Sequence, residues 1–234
     1  MPDFEPRPLH LHTLESYYLR RDNFGFAAPK GTVAIVEAEP LPVADRRLVI
    51  ARHGQDTYAR RLLRSNDSTL IGLTAETPDP RRSPKTKFLP ESEVALHQVV
   101  GVIFDHETVM APGNEEAVLL SDALFLQKIE IAYRIVEESG VPLALPRQIA
   151  LGGRRIEPDQ FSQYEGTLVA ITLEDGSSIF KRVGTKLPGN LSHLRKFESI
   201  GGLGSSEILS VGAPQSGIRS VLNARLIIGV LYHS

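Results

Sequence analysis

Apolar residues fall in short runs rich in Val, Ile and Leu, closed off by Pro, Gly, Asp or Asn. The clearest are residues 31–37 (GTVAIVE), 48–52 (LVIAR), 99–104 (VVGVIF), 166–173 (GTLVAITL) and 226–232 (LIIGVLY). Runs of this length between turn residues are the pattern of strands, so the chain is expected to be mainly β. Over residues 129–136, Ile129, Ile131, Tyr133 and Ile135 alternate with Glu130, Ala132, Arg134 and Val136. That period of two predicts a strand despite the Leu and Glu content nearby. One segment, residues 115–126, predicts a helix. It follows the loop-like MAPGN at 110–114, and residues 105–120 are the expected linker.

The runs recur within the chain. Val99-Val-Gly-Val-Ile-Phe matches Ile227-Ile-Gly-Val-Leu-Tyr, and Leu48-Val-Ile-Ala followed by Tyr58-Ala-Arg-Arg-Leu matches Leu168-Val-Ala-Ile followed by Ile179-Phe-Lys-Arg-Val. Near the start of each half, Pro29-Lys-Gly-Thr-Val-Ala-Ile parallels Pro146-Arg-Gln-Ile-Ala-Leu. The offset grows from 116 at Asn23/Ser139 to 121 at Arg60/Lys181 and 128 at the ends. Loop insertions in the second copy account for that drift, and such insertions carry a small closure cost. The reading is a tandem repeat, divided at 1–108 and 109–234.

Composition narrows the chemistry. The 234 residues include no Cys, which excludes disulfides, thiolate nucleophiles and cysteine-ligated metal sites. A net charge of -2 gives no bulk attraction to nucleic acid or anionic lipid. Residues 1–18 lack the apolar run of a secretory signal, and no window reaches the apolar length of a membrane helix. The expectation is a soluble, cytoplasmic protein.

The repeated segments resemble the LexA-like family of self-cleaving repressor domains, which includes the UmuD proteins and the C-terminal domains of lambdoid phage repressors. Arg20-Arg-Asp-Asn-Phe, Gly31-Thr-Val-Ala-Ile-Val, Leu48-Val-Ile-Ala-Arg, Tyr58-Ala-Arg-Arg-Leu and Val100-Gly-Val-Ile carry the likeness in the first half. Glu138-Ser-Gly-Val-Pro142, Leu168-Val-Ala-Ile, Phe180-Lys-Arg-Val and Ile228-Gly-Val-Leu carry it in the second. The resemblance implies two tandem LexA-like β-rich domains with one short helical linker, a regulatory role and a protein partner or self-association. It also implies a Ser–Lys dyad, with serine as nucleophile and lysine as general base.

In the first half Asn23 stands where the family serine belongs and Arg60 where the lysine belongs. An amide is not a nucleophile and a guanidinium does not give up its proton, so this copy is expected to be inactive. The second half keeps Ser139 and Lys181, with Pro142 in the place of the family's turn-stiffening proline. The backbone N–H of Ser139 would contribute to an oxyanion hole. On a strand Ile179, Lys181 and Val183 share one face, which would bury the lysine stem. Base catalysis needs the neutral amine, which burial favours and a neighbouring carboxylate such as Glu137 opposes. Glu137, Glu138 and Gly140 replace the family's glycine, aspartate and methionine, and the chain contains neither the Ala-Gly nor the Cys-Gly dipeptide that the family cleaves. Val100-Gly101 is a substitute only within a strand, where the ladder would hold its backbone.

Other signals point to no added chemistry. His10-x-His12 lacks a third ligand at metal spacing, so no metal or cofactor is expected. Ile200-Gly-Gly-Leu-Gly-Ser-Ser lacks the lysine and the strand–loop–helix context of a phosphate loop and reads as a plain loop. Arg60, Arg61 and Arg64, and Arg81, Arg82, Lys85 and Lys87, lack interleaved aromatics, and no helix-turn-helix pattern occurs, so direct nucleic-acid contact and a small-molecule substrate are not expected. Two readings of function stay open. In one the second copy is a self-cleaving Ser–Lys domain; in the other both copies form a non-catalytic interaction or dimerisation module that presents edge strands.

Overall fold

The computed structural model describes residues 14–25, 27–40, 42–65, 69–76, 85–104, 113–121, 124–136, 143–200, 206–212 and 217–232. Short apolar runs between turn residues form strands almost throughout, several of them buried on both faces. The first seven are β1 (Leu14–Leu19), β2 (Val33–Glu37), β3 (Leu48–His53), β4 (Asp56–Arg64), β5 (Leu70–Thr74), β6 (Thr86–Pro90) and β7 (Ala95–Ile103). After β8 (Ala117–Leu119) come β9 (Ile131–Arg134), β10 (Ile149–Ile156), β11 (Leu168–Leu173), β12 (Ser178–Lys186), β13 (Leu194–Glu198), β14 (Glu207–Val211) and β15 (Ser220–Leu231). The fold is mainly β, as the apolar pattern predicts. Among the described residues no helix is long and apolar enough to cross a membrane.

The pairing of β9–β15 repeats that of β1–β7. Strands pair antiparallel as β1–β2, β2–β7, β7–β3, β3–β4, β4–β5 and β5–β6, and then again as β9–β10, β10–β15, β15–β11, β11–β12, β12–β13 and β13–β14. Register repeats as well. Ile35 faces Gly101 before a shift in the ladder, and Leu151 faces Gly229 before the corresponding shift. The second set adds a parallel β14–β15 pair.

The two sets meet where β7 runs antiparallel to β15, with Gly101 opposite Leu231, Val102 opposite Val230 and Ile103 opposite Gly229. The flanking bonds match across Val102/Val230: Phe104 N donates to Ile228 O, and Tyr232 N donates to Val100 O, both at 2.7 Å. A local pseudo-two-fold therefore passes through this pair, the arrangement of an isologous interface. Both glycines permit the close approach. A Cβ on Gly229 would meet Val102 O at 2.5 Å, and one on Gly101 would meet Val230 O at 2.8 Å. The core crosses the junction too, because Val33, Ile35, Val100 and Ile103 pack in one buried cluster with Leu151, Val169, Phe197 and Ile228.

One element departs from the sequence expectation. Residues 115–126 do not form a helix: Ala117–Leu119 is a strand paired with β1, and Leu124–Lys128 is a single 3₁₀ segment. Helix propensity is a weak preference that tertiary contact overrides. Here the contact is the outer edge of β1, against which Ala117 is buried to 2% exposure.

Buried phenols make the fold sensitive to alkali. Tyr17 is buried and its hydroxyl donates to Glu15 Oε2 at 2.9 Å; loss of solvation, then that carboxylate, push its pKa up to about 12. Burial also raises Tyr232. In the unfolded chain a phenol ionises near pH 10, so the stabilisation is complete below about pH 10 and falls as the pH rises towards 12. Urea midpoints should therefore drop between pH 10 and 12, with a flatter fall in Tyr17→Phe; an identical fall in that variant would remove Tyr17 as the cause.

Candidate functional site

Lys181 sits in the middle of β12, directly opposite Val169 of β11. The corresponding hairpin of the first copy places Arg60 opposite Val49. On the inward face of β12, Lys181 is 5% exposed and Val183 1% exposed, with Ile179 partly buried. A buried ammonium needs compensating partners. Lys181 Nζ donates to Ser199 Oγ at 3.2 Å, just past the end of β13, and lies 3.4 Å from Glu207 Oε1. Glu207 begins β14, opposite Phe197, and its second oxygen pairs with Arg219. The cluster thus has two cations sharing one carboxylate, with a hydroxyl on the lysine side.

In the first copy the equivalent cation is clamped differently. Arg60 is largely covered, with its side chain 13% exposed and that of its partner Glu116 15% exposed. Arg60 Nε donates to Glu116 Oε2 at 2.9 Å, its Nη2 to Oε1, and its Nη1 to Lys85 O at 2.8 Å. Two-point guanidinium–carboxylate pairing of this kind is among the stronger charge-assisted contacts. Glu116 Oε2 also accepts the Ala59 N–H at 3.1 Å, a donor that lies beyond the end of β5 on that side of β4. Asn23 takes part through its backbone, accepting from Glu76 N at 2.7 Å. Arg60 is thus held by the residue that leads into β8, while Asn23 is tied by its backbone to Glu76.

Ser139, with Glu137, Glu138, Gly140 and Pro142, lies outside the described residues, as do His10, His12, Arg81 and Arg82. The chain on either side is held as in the first copy. Ile135 N donates to Gln148 O and Arg147 N to Ile135 O, matching Leu19 N to Thr32 O and Gly31 N to Leu19 O. Asn23 and Ser139 therefore fall in connections that leave and re-enter the sheet at corresponding ladder positions. Arg147 holds φ +76° where Gly31 holds +90°, a left-handed conformation that a non-glycine residue adopts at a cost of about 1 kcal/mol.

Ser199, Glu207, Arg219 and Glu116 were not legible as site residues. The carboxylate on Lys181 comes from β14, where Glu207 occupies the ladder position that Lys87 holds in the first copy. Arg61 and Arg64, read as a basic cluster with Arg60, pair with Glu76 and Glu91. No protein-family model, curated protein or solved structure matches this chain.

Proposed function

We propose that the chain is a cytoplasmic regulatory protein built from two LexA-like domains, 1–108 and 109–234, the first catalytically silent and the second a Ser–Lys self-cleaving domain. The observation that carries this reading is the buried Lys181 at the ladder position of Arg60, in a repeat whose other serine-position residue is Asn23. In the proposed reaction the Ser139 hydroxyl adds to a peptide carbonyl as its proton passes to the neutral Lys181 amine. That proton then goes to the departing amine, and water releases the acyl group from the serine oxygen. Ser199 Oγ orients the Lys181 side chain. Self-association or a protein partner supplies the regulation, and neither nucleic acid nor a small-molecule substrate is contacted by these domains.

A second reading is favoured by one feature of the same site. An amine held in an ion pair with Glu207 is withheld from proton abstraction. If that pair persists in solution, both copies serve as a non-catalytic interaction module.

Intact-mass spectrometry after incubation between pH 7 and 9.5 separates the two. Self-cleavage gives fragments whose masses sum to the chain plus one water, and they are absent in Ser139→Ala and Lys181→Ala. An uncut chain at every pH supports the interaction module instead.

A further inference from the structure

Among the described residues the repeat has one unmatched strand, β8. In the first copy the outer edge of β1 is covered by β8: Leu19 faces Ala117, Tyr18 faces Val118 and Tyr17 faces Leu119. Arg20 N donates to Glu116 O and Leu120 N to Ser16 O, both at 2.8 Å. By register, Tyr133, Arg134 and Ile135 correspond to Tyr17, Tyr18 and Leu19. Among the described residues, however, β9 pairs with β10 on one side and with no strand on the other.

Strand alternation identifies the groups left open. Ile135 N–H and C=O are used towards β10, so the backbone groups of Ala132, Arg134 and Val136 face outward. They have no partner among the described residues. Val136 is 80% exposed and Ile131 39% exposed, so an apolar margin accompanies the row of donors and acceptors. Exposed edges of this kind are templates for strand addition.

We infer that the outer edge of β9 is a docking site for an extended segment of a partner protein, bound antiparallel as β8 is bound to β1. The occupant is specified by position. A small residue belongs opposite Ile135, as Ala117 lies opposite Leu19, and an aliphatic one opposite Tyr133, as Leu119 lies opposite Tyr17. Opposite Arg134 an acidic residue is favoured, because opposite charges directly across a ladder attract. A second copy of β9 fits poorly: three of its two-fold registers set Ala132, Arg134 or Val136 against Arg134, none of them acidic, and the register centred on Ala132 would call on Glu130, whose carboxylate pairs with Arg225 and whose N–H donates to Gly152 O. The chain's own linker strand is already used in β8. Docking requires only backbone groups and Arg134, so it does not rest on the Ser139–Lys181 reading.

Fluorescence anisotropy with labelled peptides, in a Ser139→Ala background that prevents hydrolysis, tests the inference. The probes are the linker sequence Glu-Glu-Ala-Val-Leu-Leu-Ser, the same peptide carrying Val118→Glu, and one carrying Val118→Pro. The Glu peptide should bind roughly two- to five-fold more tightly than the parent, and the order should reverse in Arg134→Glu. The Pro peptide should not bind. Arg134→Pro should abolish docking yet leave the fold intact, because the N–H it removes points away from β10 and proline is tolerated there. Absence of binding in the background protein, or binding unchanged in Arg134→Pro, would overturn the inference. So would self-association that Arg134→Pro abolishes and no peptide displaces, which would identify a second copy as the occupant.

Discussion

Glu116→Ala is expected to destabilise the folded chain by about 2–3 kcal/mol, less than for a fully buried ion pair because both side chains keep some exposure. The substitution leaves the Arg60 guanidinium without its two-point acceptor and the Ala59 N–H without its cap. It also loosens β8, because Glu116 is the residue from which that strand enters its pairing with β1. Arg60→Lys should recover only part of the stability that Arg60→Ala loses, since an ammonium cannot span both carboxylate oxygens in a fixed plane. Urea unfolding of the single and double variants measures the coupling. A loss below about 1 kcal/mol for Glu116→Ala would mean that the pair behaves as a solvated surface contact, contrary to its burial.

Phe197→Ala is expected to cost about 3–5 kcal/mol through the cavity it leaves. Phe197 is fully buried and meets Phe161 edge to face, with ring centroids 5.7 Å apart and planes at 87°. The buried cluster it belongs to draws on both copies, with Val33 and Ile103 among its members. The corresponding residue by register, Leu73, is equally buried but belongs to a cluster drawn from the first copy. Leu73→Ala should cost about 2–5 kcal/mol. If unfolding is one cooperative event across the shared sheet, both variants shift a single denaturant midpoint. Two separated transitions, with each variant moving a different one, would show instead that the copies unfold independently.

Much of this architecture was legible because ladder positions leave a trace in sequence. Residues matched at offsets of 116, 121 and 128, such as Ala34/Ala150, Arg60/Lys181 and Gly101/Gly229, occupy corresponding places in the sheet. The glycines recur because two backbones approach closely there, and that constraint acts on each copy separately. The inward face shared by Ile179, Lys181 and Val183 likewise follows from strand alternation.

What was not legible depends on contacts distant in sequence. Glu-Glu-Ala-Val-Leu-Leu has good helix formers, and nothing within it announces that the edge of β1 and the Arg60 guanidinium claim it as a strand. Glu207 reaches Lys181 only through the registers of β12 with β13 and of β13 with β14. A repeat comparison shows an acid where the first copy has Lys87, but its meaning appears only when β14 is in place.

The central claim is that Ser139 is an activated nucleophile with Lys181 as its base. Its most direct test does not depend on finding the scissile bond: reaction of the whole chain with a small serine-reactive fluorophosphonate, followed by peptide mapping, at pH 7 to 9.5. A Ser139 adduct that forms faster as the pH rises, and is lost in Lys181→Ala although circular dichroism shows that variant still folded at the labelling pH, is the expected result. No adduct at Ser139, or an adduct formed equally fast without Lys181, would contradict the dyad.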